Sequence, residues 1–218
     1  MGLSLLAMVS AALYLGLIYI LAANTFFFKH SDQNWLGKLA AIATLFAIYA
    51  ALPQRIKQET GIQSLPHPAH WKPTLIIVLT TLVFFVFCST VLPILSAHIC
   101  NRPTTQTLAF AATLPGVDEE IAFRGILLAM LVSVFGKPWQ IMGVSVGWGA
   151  IAVTSLFGFA HGFEAAAQGA PWLIAVLITT MSSVMGVLLL WLKEKTGSIW
   201  LGVIIHNLAN MLSALICS

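Results

Sequence analysis

Long apolar runs separated by short polar breaks dominate the chain. The runs cover Leu3 to Phe28, Leu39 to Leu52, Thr74 to about Leu95, Thr104 to Phe135, Ile141 to Ala160, Trp172 to Leu192 and Ser198 to Ile216. A helix of roughly 20 apolar residues crosses a bilayer, so the pattern predicts about seven transmembrane helices, within a range of roughly six to eight. Thr104 to Phe135 is too long for one straight crossing, and Pro115-Gly116 breaks it. Leu3 to Phe28 has no basic residue before it and exceeds the apolar region of a signal peptide, which predicts a retained helix. Lys29 to Lys38 reads as a polar turn. Pro53 to Pro73, with Arg55, Lys57, Glu59 and Lys72, reads as a loop or interfacial segment. Trp35, Trp71, Trp139, Trp172, Trp191 and Trp200 fall at predicted span ends, where amphipathic rings favour the headgroup layer, and Trp148 alone sits inside a span. No alternating barrel pattern or strand ladder is present in the sequence. Gly143-x-x-x-Gly147 and Gly158-x-x-x-Gly162, both on the fifth run, predict close approach of a neighbouring helix.

Composition sharpens this into a class. Of the 218 residues, 59% are apolar and 8% charged, against about a quarter charged in soluble domains. The expected fold is therefore an all-α, polytopic integral-membrane helical bundle. Seven spans use about 140 residues, which leaves no room for an appended soluble domain of useful size. The net charge of +3 is scattered through short loops, which excludes nucleic acid as a partner. Cys88, Cys100 and Cys217 are odd in number and lack C-x-x-C spacing, so neither a disulfide framework nor a cysteine metal site is expected. Arg55, Lys57, Lys72, Lys137, Lys193 and Lys195 collect on one side of the seven-span scheme, and Lys29, Lys38 and Arg102 on the other. That asymmetry favours a cytoplasmic N-terminus.

Ionisable groups at bilayer depth cost about 2.5–3.5 kcal/mol each on insertion scales, so the polar residues inside apolar runs are the informative ones. Asp118, Glu119, Glu120 and Arg124 interrupt the fourth run, His161 ends the fifth, and His206, Asn207 and Asn210 interrupt the seventh. Glu120 and Arg124 are four residues apart and share a helix face, which predicts an ion pair. Glu119 points elsewhere and is left available for chemistry. Asp118, after the Pro-Gly break, is expected to cap the new helix. Ser198, Gly202, His206 and Asn210 form a small and polar stripe, so His206 and Asn210 face one space. Phe157 and His161 share a face of the fifth helix. Asn207 is expected to bond a neighbouring helix or backbone. His30, His67, His70 and His98 fall in loops and are read as solvated, and Lys193-Glu194-Lys195 as a polar turn.

At these residues the chain resembles the CPBP family, the CAAX-protease and bacteriocin-processing enzymes also called Abi proteins. The motifs are Glu119-Glu120-x-x-x-Arg124, Phe157-x-x-x-His161 and His206-x-x-x-Asn210, in the family's order, with Thr196-Gly197-Ser198-Ile199-Trp200 before the last. The resemblance divides the chain into N-terminal helices and a polar loop, residues 1–103, and a CPBP/Abi-like core, residues 104–218. It implies an intramembrane endopeptidase of a bacterial cell membrane that cleaves a membrane-associated peptide or protein. In that scheme Glu119, helped by His161, activates water, while His206 and Asn210 donate hydrogen bonds to the oxyanion. Glu120 and Arg124 support the helix start. No cofactor is required; the alternative is a zinc enzyme with Glu119, His161 and His206 as ligands, although the H-E-x-x-H helix is absent. A non-catalytic self-immunity or partner-binding membrane protein is the competing function, and a transporter a third. The terminal Ile216-Cys217-Ser218 is not a C-a-a-X signal, so the chain is not expected to be its own substrate.

Overall fold

The computed structural model describes residues 33–67, 71–96 and 102–216; the first apolar run lies outside them. Helix α1 (Trp35–Ala51) starts where the Asn34 side chain accepts the Gly37 N–H at 3.1 Å. Its buried residues Gly37, Ala41 and Leu45 recur every four positions and make the inward stripe. The Pro53–Pro73 segment contains a short helix α2 (Gln54–Thr60), which stops at Gly61 with φ +71°, a left-handed conformation that glycine adopts without steric cost. Helix α3 spans Trp71–Ser96.

The fourth apolar run is not one helix. It resolves into α4 (Thr105–Ala111), α5 (Leu114–Glu119), a π-helical turn pair (Glu120–Leu127) and α6 (Leu128–Phe135). The predicted fifth span also needs correction at its start. Residues Ile141 to Val146 belong to an antiparallel hairpin of β1 (Trp139–Ile141) and β2 (Val144–Val146), contrary to the expectation of no strands. Met142 (φ +50°) and Gly143 (φ +76°) supply the two left-handed residues of a tight hairpin turn. Helix α7 therefore begins at Trp148 and runs to Ala167; Trp148 opens it, and His161 does not end it. Helices α8 (Trp172–Thr196) and α9 (Trp200–Ile216) follow.

Three of these helices, over Trp71–Leu92, Trp148–Ala167 and Trp172–Thr196, are long and apolar enough to cross a membrane, and α1 and α9 are shorter apolar helices. The chain is thus an all-α membrane bundle, although the described residues do not carry the expected count of about seven spans: the fourth run is broken into pieces, α1 and α9 are shorter helices, and the first run lies outside the described residues. Exposed Ile76, Leu79 and Val83 on α3, Phe159 and Phe163 on α7, and Val176 and Val187 on α8 give the outer surface an apolar character suited to lipid.

Packing inside the bundle sets the position of the functional helices. Gly158 and Gly162, on one face of α7, bring that helix onto α8 so closely that a Cβ on either would collide with Thr179 or Ser183. The start of α9 is stitched to the loop after α2: Ser198 Oγ donates to the Ser64 carbonyl at 2.6 Å, and Trp200 Nε1 to the Ile62 carbonyl at 2.8 Å. Beyond α6, the Lys137 ammonium bridges Glu194 (2.8 Å) and Glu59 (3.0 Å). Burial alone would lower the Lys137 pKa, but hydrogen bonds and attraction to those two carboxylates outweigh it and raise the value above 10.5.

Candidate active site

The first turn of any helix leaves backbone N–H groups without partners. In α5 the flanking Thr113 makes no side-chain cap, and Pro115 lacks an N–H altogether. The cap comes from another helix. Asn207 on α9 accepts the Gly116 N–H at 2.7 Å and donates to the Thr113 carbonyl at 2.8 Å. The sequence assigned this task to Asp118, but Asp118 lies too far into α5 to cap it. It is instead fully buried, with its two oxygens 2.8 and 3.1 Å from Lys38 Nζ.

Beyond Glu119 the backbone widens into π geometry, a form that recurs at functional sites. Glu120 and Arg124 do pair, at 3.0 Å, and both are 0% exposed. Glu120 does more than the sequence assigned to it. The same Oε1 lies 2.9 Å from His206 Nδ1, and since a carboxylate accepts, Nδ1–H donates. Gly202, one turn before His206, makes room for this contact, for a Cβ there would stand 3.3 Å from Glu120 Oε2. The small residue in the α9 stripe is thus explained by the carboxylate beside it.

Glu119 occupies the adjoining space. Its Oε1 lies 3.2 Å from Lys38 Nζ. Its Oε2 is buried, has no hydrogen-bond partner, and stands 3.7 Å from both His161 Nε2 and His206 Nε2. The two glutamates therefore touch opposite nitrogens of one imidazole, although consecutive helical positions diverge by about 100°. His161 is oriented by its own helix: Nδ1 donates to the Phe157 carbonyl at 2.9 Å, and its ring lies 4.4 Å from that of Phe157. Phe157 is 1% exposed and carries the Arg124 guanidinium 3.9 Å from its ring centre, within cation–π range. One aromatic ring thereby indexes both the structural arginine and the histidine facing Glu119.

Asn210 shares with His161 and His206 the wall of a cavity of about 320 Å³ between α3, α7, α8 and α9. The rest of that wall is largely apolar, with Phe84, Phe85, Leu92, Met181 and Met185. The structure thus gathers Glu119, His161 and His206 within contact distance and places Asn210 on the same cavity as the two histidines. Of the loop histidines, His67 is exposed, and His30, His70 and His98 lie outside the described residues.

Lys38 was missed. The sequence placed it in a polar turn and counted it among loop charges; it instead lies in the first turn of α1, inside the site. Its spacing from Ala41 and Leu45, three and seven residues on, is the signal that could have found it, since those two residues mark the buried face. A zinc reading needs three ligands aimed at one point. Among the described residues no group of three His, Cys, Asp or Glu side chains is arranged to hold a metal ion, and Glu119 already faces the Lys38 cation.

A family model described as "Rce1-like: Type II CAAX prenyl endopeptidase Rce1-like" matches residues 101–212, the stretch holding all three motifs. Neither the curated proteins nor the solved structures compared with the chain gave a match.

Proposed function

The chain belongs to the Rce1-like type II CAAX prenyl endopeptidase family, and on that premise we propose how its residues hydrolyse a peptide bond at the membrane. The observation that carries the reading is the buried Glu119 Oε2, which lacks a hydrogen-bond partner and faces both imidazole Nε2 atoms at 3.7 Å. With Nδ1–H of His161 committed to the Phe157 carbonyl, neutral His161 presents a lone pair at Nε2. That lone pair and Glu119 Oε2 are two acceptors side by side, so one water donates a hydrogen to each and turns its own lone pair outward.

Glu119 takes a proton as that water attacks the scissile carbonyl, and the C–O bond forms while the carbonyl π pair moves onto oxygen. His206 presents its second ring nitrogen to the substrate. Its Nδ1–H is held by Glu120, and its Nε2–H, together with the Asn210 amide, receives the oxyanion. A preorganised donor of this kind contributes about 3–4 kcal/mol to transition-state stabilisation. Collapse of the tetrahedral species breaks the C–N bond as Glu119 returns its proton to the departing amine. No metal enters these steps.

The mainly apolar cavity beside His161, His206 and Asn210 suits a lipidated or strongly apolar substrate segment. We read the protein as a multi-pass component of a bacterial cell membrane that acts on a membrane-associated peptide. Its apolar outer face supports this reading, as does the order of its motifs. The test is hydrolysis of a farnesylated C-a-a-X peptide by the purified chain in nanodiscs. Glu119→Gln is expected to lower kcat by at least about 10³-fold, near the middle of the range for general-base catalysis, and a zinc chelator is expected to leave the wild type active. Full activity of Glu119→Gln would refute Glu119 as the base, a wild type that binds the peptide without cleaving it would point to a non-catalytic binding protein, and loss of activity in chelator to a zinc enzyme.

A further inference from the structure

We propose that Lys38 is a positioning residue for Glu119, supplied by a helix outside the family-matched stretch. The inference rests on the reading of Glu119 as the general base. Lys38 stands on the same face of α1 as the buried Ala41 and Leu45, so its ammonium is carried inward rather than to a surface. There it contacts both oxygens of Asp118, at 2.8 and 3.1 Å, and Oε1 of Glu119, at 3.2 Å. The two oxygens of Glu119 therefore have different surroundings. Oε1 is held by a cation, and Oε2 is left without a hydrogen-bond partner, aimed at the two imidazoles. A glutamate has three side-chain torsions, and at about 3 Å in a buried site a single opposite charge is strong enough to select among them. The fully buried Asp118 keeps the ammonium from swinging away, so the order of restraint runs from Asp118 through Lys38 to Glu119.

The seat of α1 agrees with a positional role. At the end of the helix that bears Lys38, Trp35 packs edge-on against Phe110 of α4, with ring centres 5.3 Å apart. Beside it Gln33 Nε2 reaches Thr107 Oγ1 at 3.4 Å, and Asn34 caps the first turn. These contacts fix the N-terminal turn of α1 against the segment that leads into α5. Lys38 does not line the cavity assigned to substrate. Its loss is therefore expected in kcat and not in KM, because what it alters is the alignment of the base in the transition state.

The experiment uses the full chain in nanodiscs with the farnesylated C-a-a-X peptide, comparing wild type, Lys38→Met, Lys38→Arg and Asp118→Asn. Lys38→Met is expected to lower kcat about 30- to 100-fold with KM within about twofold. Lys38→Arg should recover most of that loss, and Asp118→Asn should fall between the two. The inference is overturned if Lys38→Met keeps full kcat, if KM rises while kcat holds, or if Lys38→Arg is no better than Lys38→Met. Should Lys38→Met not fold, Asp118→Asn decides alone: a kcat lowered about tenfold at constant KM supports the inference, and wild-type kcat overturns it. An inactive wild type, or an active Glu119→Gln, would instead overturn the reading of the base itself.

Discussion

Replacing Gly162 with alanine should push α7 off α8 and carry the neighbouring His161 with it. A Cβ built on Gly162 would lie 2.7 Å from the Ala175 carbonyl oxygen and would also collide with the Thr179 hydroxyl. The hydroxyl can rotate, but the carbonyl belongs to the α8 backbone and cannot. A carbon and a carbonyl oxygen ordinarily come no closer than about 3.3 Å, so the helices must separate locally by about 0.6 Å. Overpacking of this kind costs about 1–3 kcal/mol. Alanine returns about 1 kcal/mol through its better helix propensity, leaving a net loss of up to about 2 kcal/mol. Gly125→Ala is the control, because its Cβ would meet nothing nearer than 3.5 Å. Reversible unfolding in mixed micelles, followed by helix signal, should place Gly162→Ala about 1–3 kcal/mol below Gly125→Ala. Its kcat should fall as well, since the shift of α7 changes the placement of His161 against Glu119. Equal stability of the two variants would refute the close approach and with it this account of how His161 is placed.

Two further substitutions probe the supports of the glutamate helix. Asn207→Leu strips the cap from α5, leaving the Gly116 N–H unpaired and taking the side-chain donor from the Thr113 carbonyl, which should cost about 1–3 kcal/mol in the same unfolding assay; a change under about 0.5 kcal/mol would contradict the capping role. Glu120→Gln removes the charge shared by Arg124 and His206, and breaking a buried pair from one side costs about 3–5 kcal/mol. Peptide hydrolysis should fall with it because His206 loses its orienting acceptor, and unchanged stability together with unchanged kcat would show that the contact carries no energy.

Side-chain pairs within one helix were legible from spacing alone. Glu120 with Arg124, and Phe157 with His161, need only the helical repeat, and both pairs are present in the structure. The inward stripe of α9 was legible for the same reason. What spacing could not provide was anything that depends on which helices become neighbours. The cap on α5 arrives from Asn207, far along the chain, and the cation beside Glu119 arrives from Lys38. Apolar composition also misled at Ile141 to Val146, where the left-handed pair Met142-Gly143 reverses the chain and the residues pair as strands. A run of hydrophobic residues records that a segment avoids water, and a short hairpin satisfies that condition as well as a helix does.

The π-wound stretch from Glu120 to Leu127 takes in more chain per hydrogen-bonded ring than the helices on either side. It behaves as a residue inserted into an otherwise regular coil, so positions beyond it are out of phase with positions before it by about 100°. The carboxylates upstream and the packed Leu128, Ala129 and Met130 downstream can each keep the azimuth they need. Loss of a single codon here would restore the coil's phase and turn one of those two groups away from its partners. Point changes are easier for this region to tolerate than changes of length.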